Sequence, residues 1–242
     1  MDQTNHEWIC LRSRPHDAAE NMAVDEALLR LASRLPSPVL RFYSWNERAA
    51  TFGYFQRYER VAEMTSLRPL VRRPTGGGLV NHDGDWTYSV TIPSQHEWHG
   101  ISARESYARM HEWIRKSLQR LNLRTSLADQ PPEGSPAGQC FLRAERADLV
   151  RGGKKVAGAA QRRTFKGLLI QGSIQPGERW PDHLQWQDSM MKQAIEEWGV
   201  VWVEFDSWVG HKALAIEMEA LLRSGPNGKR VLGAPRKDDG SA

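Results

Sequence analysis

Two short stretches of this chain carry residue types that could act on a ligand. The first is Arg72-Arg73-Pro74-Thr75-Gly76-Gly77-Gly78, which leads on to His82 and Asp83. Three successive glycines after a strand let main chain approach a ligand closely, and their N–H groups can be aimed at a carbonyl or phosphate oxygen. Arg72 and Arg73 would add charge-assisted hydrogen bonds. The spacing is neither that of a phosphate-binding loop nor that of a dinucleotide fingerprint, so on spacing alone a flexible turn is the better reading.

The second stretch runs from Gly138 through Cys140 to Gly172. It contains Gly152-Gly153-Lys154-Lys155-Val156-Ala157-Gly158-Ala159-Ala160-Gln161-Arg162-Arg163 and closes on Gln171-Gly172-Ser173. A lysine entering a strand among small residues has room beside it, and a buried amine needs a partner. Such a group can bind an acyl carbonyl or a phosphate. The ordinary alternative leaves Lys154 and Lys155 in water at a hairpin tip. Cys140 follows a proline- and glycine-rich loop, but a lone cysteine is more often a small buried hydrophobe than a nucleophile. Cys10, within the apolar run Trp8 to Leu11, reads as core. His96-Glu97-Trp98-His99 lacks the spacing of a His-Glu-x-x-His zinc site, and no metal is expected.

These stretches need elements to hold them. Asp17 with Glu20 forms a capping-box pattern, and Val24, Ala27, Leu28, Leu31 and Leu35 then repeat at helical spacing, predicting a helix that ends at Pro36. Strands are predicted at Val39–Ser44, Ala50–Tyr54, Leu70–Arg73 and Trp86–Ile92. Ser102 with Glu105 opens a long helix whose apolar positions are Tyr107, Met110, Ile114, Leu118 and Leu121. Gln130 to Gly138, with three prolines and two glycines, is a loop. Gly152-Gly153 joins a strand at Asp148–Val150 to one at Lys155–Ala159, and Leu168–Ile174 follows a Lys166-Gly167 turn. Trp208–Leu222 reads as a final helix. The expected fold is α+β, a central, largely antiparallel or mixed sheet flanked by helices. Residues 1–224 would form one domain and 225–242 a disordered tail.

Composition narrows the field. The 242 residues are 40% hydrophobic, enough for one well-buried core. Met1 to Trp8 lacks the marks of a secretory leader and no apolar run approaches a membrane span, so a soluble, cytoplasmic protein is expected, with no membrane partner. Two cysteines build neither a disulfide framework nor a paired zinc site. A net charge of +4 is too small an excess to imply nucleic acid, and acidic protein partners fit it equally well.

In these motifs the chain resembles the biotin/lipoate protein ligase catalytic-domain superfamily, within it the lipoate-protein ligase and cysteine-dependent octanoyltransferase group. Arg72 to Asp83 is similar to the family's Arg-Arg-x-Ser/Thr-Gly-Gly loop and following His-Asp pair. Gly153 to Arg162 is similar to its Gly-x-Lys-Ile/Val-x-Gly-x-Ala-Gln-Arg segment, and Asn21 to Glu26 to its first helix. The resemblance implies an acyl chain held beneath the glycine loop, with Arg72, Arg73, Thr75, Gly76, Gly77, Gly78, His82, Asp148, Gly158 and Ala159 around the substrate. It also implies that Lys155 contacts the acyl carbonyl.

Two chemistries follow from the resemblance. In octanoyltransferases a cysteine takes octanoate from acyl carrier protein as a thioester and passes it to a lysine of a lipoyl-domain protein, such as a glycine-cleavage carrier or a dehydrogenase E2 subunit. Cys140 stands where one such branch carries its nucleophile, and no cofactor is needed. In the ligases, ATP and Mg activate free lipoate as an adenylate. The triple glycine and the acid Asp148 look more like that branch. The missing accessory domain of many ligases and the position of Cys140 favour transfer, which is the expected function. A non-catalytic acyl- or nucleic-acid-binding module is the reading from a different class. Gln171 departs from the histidine often found before Gly172, so no role for that histidine carries over.

Overall fold

The computed structural model describes residues 6–129 and 144–205, together with residues 212, 216, 219 and 220. Among these, eleven strands form two sheets. The larger sheet runs β11 (Val201–Glu204), β1 (Glu7–Arg12), β2 (Val39–Tyr43), β6 (Trp86–Pro93), β10 (Gly167–Ile174), β9 (Lys154–Thr164), β8 (Leu149–Arg151), β7 (Ser126–Leu127). β1 is parallel to both β2 and β11, and every other pairing is antiparallel. The smaller sheet, in the order β4 (Leu70–Arg72), β3 (Ala49–Phe52), β5 (Val80–His82), carries the start of the glycine-rich stretch. The expected mixed α+β architecture is the one observed. No described helix is long and apolar enough to cross a membrane.

The large sheet has two chemically different faces, and the two-residue alternation of strands makes them. On β6, Tyr88, Val90 and Ile92 point one way, and on β10 so do Leu168, Ile170 and Ile174. They form the main core with α4 (Ala103–Arg120) and α5 (His183–Trp198), which the short helices α2 (Tyr58–Ala62) and α3 (Glu97–Gly100) precede in the chain. α4 supplies Met110, Trp113, Ile114 and Leu118 at helical spacing, and α5 supplies Trp186, Met190 and Ala194. The intervening residues Thr87, Ser89, Thr91, Gln171 and Ser173 face the other way and are buried polar groups. α1 (Ala18–Leu31) and the small sheet cover that side.

α1 begins as predicted, with the Asp17 carboxylate accepting from Glu20 N–H at 2.7 Å. The capping box is half made, because the Glu20 carboxylate pairs with His16 at 2.8 Å. At α4 the Ser102 hydroxyl accepts from Glu105 N–H, while the Glu105 carboxylate goes to Arg109. The reciprocal box forms at α5, between Asp182 and Gln185, and Gly199 at φ 66° ends that helix. The expectation placed no helix at 183–198, since its buried positions are separated by polar residues. β1, β5, β7 and β11 were likewise not expected as strands. The predicted Lys166-Gly167 turn is instead Phe165-Lys166, with Gly167 already paired to Thr164. The described positions within the expected Trp208–Leu222 helix are helical. The expected 130–138 loop and 225–242 tail lie outside the described residues.

Two charges are buried where α1 meets the sheet. Arg41 on β2 and Asp25 on α1 are both fully buried and pair at 2.8 Å. The guanidinium also donates to Asn21 Oδ1 at 2.7 Å, Asn21 O at 3.1 Å and Ser13 Oγ at 2.9 Å. The Asp25 carboxylate accepts further from Ser89 Oγ and Gln171 Nε2, each at 2.7 Å, and from Tyr43 OH at 3.1 Å. Burial, with Asp25 adding to it, pushes the Tyr43 hydroxyl well up, so it stays a donor. Burying charge costs stability unless each polar atom finds a partner, and here they do. Asp25→Ala would leave the guanidinium buried and unpaired, lowering unfolding free energy by about 3–5 kcal/mol. Urea denaturation measures this, and a loss under about 1 kcal/mol would show that the pair does not hold α1 to the sheet.

α4 also buries His111, whose Nδ1–H donates to the Tyr107 carbonyl at 3.1 Å while Nε2 has no hydrogen-bond partner among the described residues. Burial lowers its pKa to about 4. Between about 6.5, the ordinary value, and 4 the unfolded chain binds a proton that the folded chain refuses, so stability falls as pH falls. From pH 7 to 4 this group alone costs about 3 kcal/mol. The pH dependence of the urea midpoint in His111→Phe, compared with the unmodified protein, should be shallower by that amount. Parallel curves would mean that His111 is protonated without penalty.

Candidate active site

The polar face of the large sheet, α1 and the small sheet enclose a cavity. Its floor is Tyr43, Thr87, Gln171, Gly172 and Ser173. Met22 of α1 and Lys155, Gly158, Ala159 and Ala160 of β9 form one side, and Thr51, Arg73, Val80 and His82 the other. The two stretches singled out in the sequence therefore meet across one space.

Lys155 reaches this space through a tight hairpin. Gly152 and Gly153 both have positive φ, 56° and 75°, which the two-residue turn between β8 and β9 requires. Lys154 is exposed, but the Lys155 side chain is only 5% exposed, folded back so that Nζ lies 2.7 Å from Asp148 Oδ2. A hairpin-tip lysine in water is thus ruled out for this residue. Gly158 makes the space: a Cβ there would stand 2.6 Å from Lys155 Cε and 2.8 Å from Nζ. Asp148 is fully buried, and accepts from Glu145 N–H at 2.5 Å and from the Tyr107 hydroxyl.

The glycine loop is held rather than loose. A Cβ on Gly53 would lie 1.9 Å from the Gly77 carbonyl oxygen, so the two backbones touch, and Gly77 itself has φ 83°. Thr75 Oγ1 donates to Gln171 Oε1 at 2.7 Å, and the other end of that amide donates to Asp25. Arg73 Nη2 donates to Gly76 O at 2.5 Å. Arg72 donates to the Tyr54 and Gln56 carbonyls at 2.8 and 2.6 Å and stacks over Phe52, so it braces the neighbouring turn and is not part of the cavity lining. Thr75 and Gly76–Gly78 also stand behind the lining. Arg162, from the second stretch, lies over the Tyr54 ring and donates to Pro74 O at 3.3 Å.

His82 lines the cavity, but its acid is not the adjacent Asp83. The exposed Asp83 pairs with Arg48 at 2.7 Å. His82 Nδ1 instead lies 2.9 Å from Asp85 Oδ2, across the turn that Gly84 makes at φ 85°. Nε2 lies 2.8 Å from Thr51 Oγ1, so the ring is held between that hydroxyl and the Asp85 carboxylate. Trp45 stacks on the ring at 3.9 Å, and Asp85 also takes Thr87 and Ser173. Sequence spacing hid Asp85 and Arg41, and it gave no role to Asp25 or Gln171. His96 and His99 have structural roles, His96 as the cap of a short helix and His99 bonded to Thr164 O at 2.9 Å. Cys10 is buried in the core, and burial pushes its thiol up to about 11, which makes it inert as a nucleophile at neutral pH. Cys140 lies outside the described residues.

Residues 17–175 match the family described as the lipoyl protein ligase A/B catalytic domain. Octanoyltransferase LipM of Oceanobacillus iheyensis is 38% identical over 174 residues, which are 69% of this chain and 63% of that protein. Octanoyltransferase LipM of Exiguobacterium sibiricum is 33% identical over 207 residues, 78% of this chain and 74% of that one. The chain thus spans less than two thirds of the first of these relatives. Among solved structures, lipoate-protein ligase A bound with ATP has the same fold, with a TM-score of 0.70 at 21% identity over 95% of this chain and 99% of that chain.

Gly158→Ala tests the packing that places the amine. The methyl would overlap the flexible end of Lys155, so the lysine should give way at a cost within about 1–3 kcal/mol. Mass mapping after brief treatment with an amine-reactive reagent should find Lys155 slow to react in the unmodified protein and readily modified in Gly158→Ala. Equal labelling would mean that Gly158 does not confine the amine.

Proposed function

We propose that this chain, which belongs to the lipoyl protein ligase A/B catalytic-domain family, is a protein octanoyltransferase. It moves an octanoyl group from acyl carrier protein, through a cysteine thioester, to a lysine of a lipoyl carrier domain. What carries this reading is its similarity, at 38% and 33% identity, to relatives named octanoyltransferases. The cavity supports it, since it sets one buried lysine beside small residues that leave room for an acyl group.

Cys140 acts as the nucleophile. Its thiolate attacks the carbonyl of the donor thioester, the new carbon–sulfur bond forms, and the carrier thiol leaves with the proton that Cys140 gave up. The amine of the acceptor lysine then attacks the enzyme thioester. A carbon–nitrogen bond forms, the bond to Cys140 breaks, and the amine's proton returns to the thiol. The donor is already activated as a thioester, so neither ATP nor a metal enters the reaction. In both steps negative charge grows on the carbonyl oxygen, and the Lys155 ammonium, already fixed by Asp148, stabilises it without reorganising. Gly158 and Ala159 form the wall beside the carbonyl, and Arg73 and His82 stand across the cavity from them. Arg72, Thr75 and Gly76–Gly78 shape the loop above the chain. Acceptors of this class include glycine-cleavage carriers and dehydrogenase E2 lipoyl domains.

Intact mass spectrometry tests the scheme directly. Incubated with octanoyl-acyl carrier protein, the protein should gain one octanoyl group on Cys140, and an added lipoyl domain should then receive it. Cys140→Ala should show neither the adduct nor transfer above about a thousandth of the unmodified rate, the scale of loss when a covalent nucleophile is removed. Full activity in Cys140→Ala would overturn the cysteine route. Modification of the lipoyl domain only with free lipoate and ATP would replace it with ligation.

A further inference from the structure

We propose that Tyr107 is a positioning residue for the acyl-transfer site, acting through Asp148 on Lys155; the inference rests on the role given to Lys155 above. Tyr107 lies on α4, the helix packed on the opposite, apolar face of the sheet, and its hydroxyl extends to the edge at which β8 and β9 carry the site. There it bonds two groups, one of which leads on to Lys155. It donates to Asp148 Oδ1, while Asp148 Oδ2 holds Lys155 Nζ at 2.7 Å. It also accepts from the Ala159 N–H at 3.3 Å, at a residue that lines the cavity. One hydroxyl thus fixes the carboxylate that aims the amine and also fixes the strand wall beside it.

The protonation states support this direction of the chain of bonds. Burial, and then the nearby Asp148, raise the Tyr107 hydroxyl well above its ordinary range, so it remains a donor. Asp148 accepts from Tyr107, from the Glu145 N–H and from the ammonium, as a carboxylate must to be stable without water. The His111 ring lies against the Tyr107 ring, tilted by 42° with centroids 4.3 Å apart, and burial keeps it neutral. It therefore braces the ring without setting a second positive charge behind Lys155. Without the Tyr107 hydroxyl, Asp148 Oδ1 would lose its side-chain donor and the carboxylate could turn about its bond to the backbone. The amine would turn with it.

The Asp148–Lys155 pair is a fixed charge serving a developing oxyanion, so misplacing it should slow the chemical step more than it weakens carrier binding. Tyr107→Phe keeps the ring and its packing on His111. In steady-state transfer of octanoate from octanoyl-acyl carrier protein to a lipoyl domain, kcat should fall at least about 10-fold with KM for either carrier within about twofold. The effect should vanish in a Lys155→Met background, where Tyr107→Phe has nothing left to position; slow turnover there is followed over hours by intact mass of the lipoyl domain. An unchanged kcat in Tyr107→Phe, or a loss that persists undiminished without Lys155, would overturn the proposal. Absence of transfer by the unmodified protein would instead overturn the octanoyltransferase reading on which it rests.

Discussion

The Asp25 carboxylate is the point at which the fold and the cavity become one object. It sits on α1 and takes donors from Arg41 on β2, Ser89 on β6 and Gln171 on β10, so a single buried charge joins the helix to three adjacent strands. Through Gln171 it reaches Thr75, and hence the start of the glycine loop. A carboxylate without water must be surrounded by donors, and each donor must come from a particular strand register. Moving β6 or β10 by one residue would turn Ser89 or Gln171 to the apolar face and leave the charge stranded. The arrangement is therefore unforgiving in register, which suits an element that forms the floor of a site.

The same constraint divides the protein into two unlike halves. Between the sheet and α4 and α5 the core is apolar and aromatic, with Trp113 and Trp186 almost wholly enclosed. Between the sheet and α1, apolar clusters around Val24 and Leu28 and around Ala18 and Met22 flank a polar centre that carries Arg41, Asp25, His82 and Asp85. Apolar packing supplies the favourable free energy, since burial of such surface is the main driving term of folding. The polar half contributes direction: each charge has partners that set where the cavity walls stand. The two halves are connected at the β8–β9 edge, where Tyr107 passes from the apolar side to Asp148.

Local patterns in the sequence were legible wherever a short-range bond decides structure. Asp17 and Ser102 cap the helices expected of them, the Gly152-Gly153 turn closes its hairpin, and strands fall where β-branched and aromatic residues cluster. The two chemically suggestive stretches do meet, through Arg73 and His82 on one wall and Lys155, Gly158 and Ala159 on the other. What stayed hidden depends on contacts between distant parts of the chain. Gln171 binds Asp25 from 146 residues away, and no periodicity announces such a pair. Asp85 was obscured differently: Asp83 is closer in sequence to His82, but the positive φ at Gly84 brings the later acid back to the ring. Helix α5 escaped because Leu184 and Ile195 are apolar yet exposed, while Gln187 and Ser189 are buried beside Trp186, Met190 and Ala194, which blurs the helical stripe.

The run from Ala157 to Ala160 shows the trade that a site of this kind imposes. Small residues are poor strand formers, and glycine in a strand interior weakens it through entropy and the lack of a side chain to pack. β9 nevertheless places Ala157-Gly158-Ala159-Ala160 in the sheet, all four paired with β10 and Ala157 also with β8. The strand is held from outside: β10 pairs with it along eight residues, and its arginines brace the loops around it, Arg162 at Pro74 and Arg163 at the Trp98 and His99 carbonyls. Larger residues at 158 to 160 would give a better strand and fill the space that Lys155 and the cavity occupy. The poor strand propensity of β9 is thus the local cost of an amine that points into a cavity, offset by the long pairing with β10 and by the arginine contacts.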